Sequence, residues 1–156
     1  MWPELKEQIE VEQAQLQHLL ELHRPLLEKC RSEAPGPIEL SALAALLHSF
    51  YTGIENLFRR IAIEVDGGAT HGDAWHRRLL QQMTEDREGR PHVISSDLLD
   101  RLQPYLQFRH FFRHSYSFQL RWDKLEPLIL QCEETFTVLR GEIAAFSDRM
   151  EKLHRG

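Results

Sequence analysis

The sequence predicts an all-α fold, an antiparallel bundle of four or five helices within a single domain that spans residues 1–156. Three observations lead to this prediction. Apolar residues recur three and four positions apart along several segments, which is the periodicity of one face of an amphipathic helix. No segment shows the alternating pattern of a half-buried strand. Prolines, glycines and polar capping residues separate the helical segments by modest loops, as in a helical bundle.

The first two predicted helices are long. The first covers about residues 3–32, and Pro25 is expected to kink or split it, because an interior proline removes a backbone hydrogen bond and clashes with the preceding turn. Residues 33–37, with two prolines around a glycine, separate it from the second helix, which covers about 38–65 and ends at Asp66-Gly67-Gly68. The predicted core stripes of these helices are Leu5, Ile9, Leu16, Leu19, Leu20, Leu26, Leu27 and Cys30, and Leu40, Leu43, Leu46, Leu47, Phe50, Ile54, Leu57, Phe58 and Ile61.

A short helix and a medium one follow. The short helix covers about residues 74–84, and Asp73 is positioned to cap it. Residues 85–93 are expected to be irregular, because glycine and proline discourage a helix there. Ser95 or Ser96 caps the fourth helix. Its predicted core residues are Leu98, Leu99, Leu102, Tyr105, Leu106 and Phe108.

The last predicted helix covers about residues 124–153, after a turn within 115–122. Asp123 is positioned to cap it, and Pro127 falls in or near its first turn, where proline is best tolerated. Pro104 should bend the preceding helix. The inward residues of the last helix are predicted to be Leu125, Leu128, Ile129, Cys132, Phe136, Leu139, Ile143, Phe146 and Met150.

Composition is that of an ordinary soluble protein. Of the 156 residues, 42% are hydrophobic and 28% charged, and this length suffices to bury a core. Cys30 and Cys132 lie at apolar positions of predicted helices, so we expect buried free thiols in a reducing compartment. No signal peptide is recognisable, and no apolar run approaches the roughly 20 residues that span a bilayer. We therefore expect a cytoplasmic protein without membrane contact.

The net charge of −5 argues against broad binding of duplex nucleic acid, which usually requires a basic surplus. Residues 101–124 differ from the rest of the chain, because they carry five arginines and lysines against one aspartate. A basic segment in an acidic protein can contact a few phosphates, or it can contact an acidic protein partner.

Within this basic segment, Arg109 is followed after four residues by His114 and then, one residue further on, by Tyr116. Arginine holds phosphate through a planar fork of donors, and histidine is the side chain best suited to move a proton near neutral pH. Together they could bind a phosphodiester and assist its transesterification by a ribose 2′-hydroxyl without a metal ion or a cofactor. Residues 109–116 are therefore the predicted functional segment.

This pattern resembles the Arg-x(4–6)-His motif of HEPN-domain ribonucleases. With Tyr116 it resembles the Arg-x4-His-x-Tyr form in HepT-type toxins of HEPN/MNT toxin–antitoxin modules. The resemblance implies a metal-independent endoribonuclease that acts on RNA as a homodimer. It assigns phosphate binding to Arg109 and proton transfer to His114. It places Tyr116 at the rim of the cleft, where an MNT-type nucleotidyltransferase antitoxin would modify it. His110 and Arg113 are further candidates for contacting substrate, and His110 also for contacting the dimer partner.

Helical geometry constrains this motif. Residues five apart on an α-helix differ by about 140° around its axis, so Arg109 and His114 do not share a face of a continuous helix. Either the helix ends near Arg113 and His114 turns back, or the site combines residues from two chains. The resemblance also suggests that Glu55 or Asn56 orients the motif from the second helix, although both residues fit solvated helix positions better.

Each candidate has an explanation that requires no site. Arg109 and Arg113 could form the cationic last turn of a helix, where they favour its negative end. His110 and His114 have the spacing of two metal ligands, but no cysteine or carboxylate nearby completes a set, so no metal is predicted. The polar cluster at 71–78, which includes Trp75 and His76, is interpreted first as a connector with an exposed helix and second as a partner-binding surface. Phenylalanines at 108, 111, 112 and 118 suit core packing or dimer burial more readily than base stacking.

Two functions from other classes remain open. Some HepT-like bundles resemble non-catalytic subunits that present substrate or nucleotide to a separate nucleotidyltransferase, and a plain dimerising adaptor bundle would also fit the helical pattern. Cleavage of RNA that depends on Arg109 and His114 would separate the enzyme from both.

Overall fold

The computed structural model describes residues 1–69, 71–72, 74–114, 116 and 119–155. They form five helices: α1 (Trp2–Lys29), α2 (Pro37–Glu64), α3 (Trp75–Gln82), α4 (Ser96–Arg113) and α5 (Trp122–Arg155). The β structure within these residues is one isolated bridge between Arg87 and Arg90. The predicted all-α class is therefore confirmed.

The central helix of the bundle is α2, which contacts each of the four other helices. Its apolar stripe is the most completely buried in the chain, with Leu43, Phe50, Ile54 and Phe58 at 0% exposure. The predicted stripes of α1, α4 and α5 also face the core. Five of the predicted stripe residues are only partly buried: Leu19 and Leu26 of α1, Leu40 of α2, Leu106 of α4 and Leu128 of α5. Cys30 and Cys132 are buried and free, as expected.

Two details differ from the prediction, and a third falls outside the described residues. Pro25 does not split α1, which continues from Trp2 to Lys29, because one lost backbone bond is offset by buried side chains on both sides of it, Leu20 and Leu27. Asp123 lies inside the first turn of α5 and not at its cap. Asp73, the predicted cap of α3, lies outside the described residues, and the position before α3 is occupied by Ala74, which has left-handed backbone (φ 63°) and no side-chain cap.

The cap of α4 agrees with the prediction. The Ser95 hydroxyl accepts a hydrogen bond from the Leu98 N–H at 3.1 Å and donates one to Glu142 of α5 at 2.9 Å. One side chain thus satisfies a backbone donor of α4 and ties its first turn to α5.

The connection between α3 and α4 is fastened to the end of α2 by a buried ion pair. Arg90 donates to both carboxylate oxygens of Asp66, at 2.6 and 2.8 Å, and both side chains are 0% exposed. Gln82 donates to the same carboxylate at 2.6 Å. Residues 84–94 are irregular, yet this pair gives them, and the adjoining α3, a defined position against α2.

Among the described residues, no helix is both long enough and apolar enough to cross a membrane.

Candidate active site

The motif lies where α4 ends. The last helical residue is Arg113, and His114 is the C-cap with φ −116° and ψ 10°. His110, Arg113 and His114 are exposed, and the rings of His110 and His114 lie 4.7 Å apart. The helix therefore ends at Arg113, as the alternative in which His114 turns back requires. His114 turns toward His110, however, and the described residues show no bond between it and Arg109.

Arg109 points in another direction, toward α2 and α3. Its Nε donates to the Thr52 hydroxyl at 3.1 Å, its Nη2 lies 3.8 Å from Glu55 Oε1, and its Nη1 lies 3.5 Å from His76 Nδ1. The Arg109 side chain is 12% exposed, so it is partly accessible to solvent. Arg109 is thus held in place by three partners from two other helices.

A polar stripe interrupts the apolar surface of α2 opposite Arg109. His48, Thr52 and Glu55 are four and three residues apart, so they lie on one face of α2. The His48 ring packs against Phe112 with centroids 5.1 Å apart. The pKa of His48 is lowered, first by burial and then by the positive charges of Arg109 and Arg113.

Glu55 and His76 form a close pair beside Arg109. His76 Nδ1 lies 2.7 Å from Glu55 Oε2, and the Glu55 side chain is only 5% exposed. Trp75 stacks on the His76 ring with centroids 3.6 Å apart, and the Arg59 guanidinium lies 5.0 Å from the Trp75 ring centroid. The imidazole is therefore restrained by a carboxylate at its edge and by an indole at its face.

Of the two residues proposed to orient the motif, Glu55 lies beside Arg109 and Asn56 does not. Glu55 contacts Arg109, so the interpretation of Glu55 as a solvated position was wrong. The sequence around Glu55 is typical of an exposed helix face, but α3 and α4 pack over this residue. Asn56 is exposed. It lines a cavity of about 390 Å³ between α1 and α2, to which Thr52 and His48 also contribute. Tyr116 is 71% exposed, beyond the end of α4.

The sequence analysis did not identify His48 or Thr52 as site residues, and it interpreted His76 as part of a connector with an exposed helix. The signal for the first two was present, because a polar stripe at helical spacing with Glu55 marks one face of an otherwise apolar helix. His76 had no such signal, since its contact with Glu55 joins residues 21 apart in the chain. Phe108 is buried and Phe111 is 42% exposed, while Phe118 lies outside the described residues.

Metal ligation finds no support in the described part of the chain, where no group of three or more His, Cys, Asp or Glu residues is arranged to hold an ion. The described side chains around Arg109 are imidazoles, a threonine hydroxyl and a buried carboxylate.

The protein is thus an all-helical bundle that carries an arginine and histidines at the C-terminal end of its fourth helix. A family model described as HepT-like protein matches residues 42–150, which include most of α2, all of α3 and α4, and most of α5. The chain belongs to the HepT-like family, and the resemblance seen in its motif is confirmed at that level. Membership suggests a toxin of toxin–antitoxin modules and a relation to HEPN nucleases. No curated protein and no solved structure matches the sequence.

Proposed function

We propose that this protein is the toxin of a HEPN/MNT toxin–antitoxin module, a metal-independent endoribonuclease that cleaves RNA at a composite site of a homodimer. The observation that carries the proposal is the Arg109 side chain, which is held by fixed partners and is 12% exposed, near the exposed His110, Arg113 and His114 on the same helix end. Arginine, held by fixed partners, can stabilise charge that develops on a phosphate without reorganising during the reaction.

Arg109 binds the scissile phosphate in this proposal, and His114 transfers a proton. The 2′-oxygen forms a bond to phosphorus as the bond from phosphorus to the 5′-oxygen breaks. The 2′-hydroxyl gives up its proton and the departing 5′-oxygen gains one, so the products are a cyclic phosphate and a 5′-hydroxyl. His110 and Arg113 supply further contacts to the RNA backbone.

A second copy of the chain completes the site. His114 faces His110 within one protomer, whereas Arg109 faces α2 and α3, so an Arg109 and a His114 that act on one phosphate are more readily supplied by two chains. Exposed Phe111 is suited to burial between the copies. The whole of residues 1–156 acts as one domain in this arrangement.

Neutralisation is assigned to a small nucleotidyltransferase antitoxin that acts on Tyr116. This tyrosine is 71% exposed and lies two residues after His114, where an attached nucleotide would add negative charge beside the site. Mass spectrometry of Tyr116 after co-expression with such an enzyme tests the step. A tyrosine that stays unmodified in a silenced complex would contradict it.

The proposed activity is tested by RNA cleavage in the presence of EDTA. The wild type should cleave, and Arg109→Ala and His114→Ala should each lose at least about 100-fold in rate. Arg140→Ala is the matched control, because this guanidinium bonds Gln17 on the exposed α1–α5 surface. Circular dichroism checks that each variant is folded. RNA left intact by the wild type under these conditions would overturn the proposal.

Mixing the two inactive variants tests the composite site. If each site takes Arg109 from one chain and His114 from the other, a heterodimer of the two variants contains one intact site and regains activity. If both residues act within one chain, every site in the mixture lacks a residue. If the subunits have exchanged and the mixture still does not cleave RNA, the two-chain site is contradicted.

A second function is favoured by one observation. Glu55 lies 3.8 Å from Arg109 and offsets part of its charge, which suits a non-catalytic subunit that presents substrate to a nucleotidyltransferase. Under that function, RNA stays uncleaved while a nucleotidyltransferase binds the wild type and Arg109→Ala equally.

A further inference from the structure

We propose that His76 of α3 is a second catalytic histidine, the general base that accepts the proton of the ribose 2′-hydroxyl. This inference rests on the proposed endoribonuclease function and adds a residue that lies outside the Arg109–His114–Tyr116 motif. It follows from the arrangement of Glu55, His76 and Arg109, in which a buried carboxylate orients an imidazole beside the phosphate-binding guanidinium.

The hydrogen bond from His76 to Glu55 sets the tautomer of the imidazole. When Glu55 is ionised, its carboxylate only accepts hydrogen bonds, and His76 Nδ1, at 2.7 Å from Glu55 Oε2, is then the nitrogen that carries the hydrogen. The 3.5 Å approach of Arg109 Nη1 to this same nitrogen is then a contact and not a hydrogen bond. In the neutral ring the lone pair is on Nε2, which can accept a proton.

Nε2 of His76 is available for that role. No described residue forms a hydrogen bond with it, and the side chain is 25% exposed. General-base sites on unrelated folds combine a carboxylate, an imidazole that the carboxylate orients, and a donor that stabilises negative charge. Here Glu55 orients, His76 accepts the proton, and Arg109 holds the phosphate next to it.

The reaction needs two proton transfers, and the motif supplies one histidine. As the 2′-oxygen attacks phosphorus, its proton passes to His76 Nε2. As the bond to the 5′-oxygen breaks, His114 of the second chain gives a proton to the leaving oxygen. His76 then returns its proton to solvent, and His114 regains one, so the balance closes without a metal or a further reactant.

The first experiment measures cleavage of RNA by His76→Ala and His76→Gln with EDTA present. Both variants should lose about 100-fold or more in kcat/KM, the ordinary contribution of a general base. His92→Ala is the matched control, because its imidazole is likewise bonded to a carboxylate, Asp86 at 3.1 Å, but in the connection between α3 and α4. A folded His76→Gln variant that cleaves like the wild type would overturn the inference.

The second experiment separates a base from a residue that only holds Glu55 in place. The substrate is an oligoribonucleotide whose cleaved bond carries sulfur in place of the 5′-oxygen, because a thiolate leaves without being protonated. On it, His114→Ala should regain most of its rate, whereas His76→Ala should remain impaired by about the same factor as on RNA. Recovery of His76→Ala on this substrate would overturn the base assignment.

These outcomes distinguish the inference from the function on which it rests. If the wild type and His76→Gln cleave equally while Arg109→Ala is inactive, the nuclease stands and His76 has no catalytic role. If the wild type cleaves neither substrate, the proposed function fails first and the inference fails with it.

Discussion

Replacing Asp66 with alanine should lower the free energy of unfolding by about 3–5 kcal/mol, because it leaves the Arg90 guanidinium buried without a counter-charge. Arg90 donates two bonds to this carboxylate and three more to the carbonyls of Gln82, Glu85 and Pro91, at 2.8 to 3.1 Å. The carbonyls remain in the variant, but they carry no charge. Since both side chains of the pair are 0% exposed, water cannot replace the lost partner without opening the structure.

The size of this loss is large for one domain. Proteins of this kind are stable by about 5–15 kcal/mol, so the variant loses at least about a fifth of that stability. At about 2–4 °C for each kcal/mol, the melting temperature should fall by about 6–20 °C. Urea unfolding followed by circular dichroism at pH 7 measures the change directly.

Glu85→Ala provides the control in the same segment. Glu85 pairs with Arg87 at 2.9 Å, but their side chains are 46% and 40% exposed, and exposed pairs contribute at most about 1 kcal/mol. The reasoning would be refuted if Asp66→Ala cost no more than this control. It would then follow that Arg90 is satisfied by carbonyls alone, and that the ion pair does not position the connection between α3 and α4.

Three further predictions concern single positions. Ser95→Ala should cost about 1 kcal/mol in urea unfolding, because α4 loses its cap. A Cβ at Gly53 would lie 2.6 Å from the buried Leu16 of α1, whereas a Cβ at Gly141 meets nothing within 4 Å. Gly53→Ala should therefore be less stable than Gly141→Ala by about 1–3 kcal/mol in urea unfolding. Equal stabilities of the two variants would contradict this prediction. Because the folded-state pKa of His48 is lowered, the unfolded chain binds its proton first, and stability should fall as pH drops below about 6.5. His48→Gln should flatten that fall between pH 7.5 and 5, and the exposed His18→Gln is the control.

Helix positions and buried faces could be predicted from the sequence because they depend on local spacing. Ser95 caps α4 as expected, and α5 buries the predicted stripe from Leu125 to Met150. The effect of Pro25 could not be predicted, because continuity of α1 depends on contacts that the helix makes with the rest of the bundle. Trp2 was missed for the same reason: it is 4% exposed and donates to Glu151, nearly the whole chain away.

The amino-acid pattern alone determined the all-helical class, the order of the helices and the place of the Arg109–His114 motif, since each follows from neighbours within one or two turns. Packing of α2, α3 and α4 decided what surrounds Arg109. It buried Glu55, which looked solvated, and brought His76 against it from a segment that looked like a connector. The physical reason is that these contacts join residues 21 to 57 apart, and only burial of three apolar stripes in one core makes them neighbours.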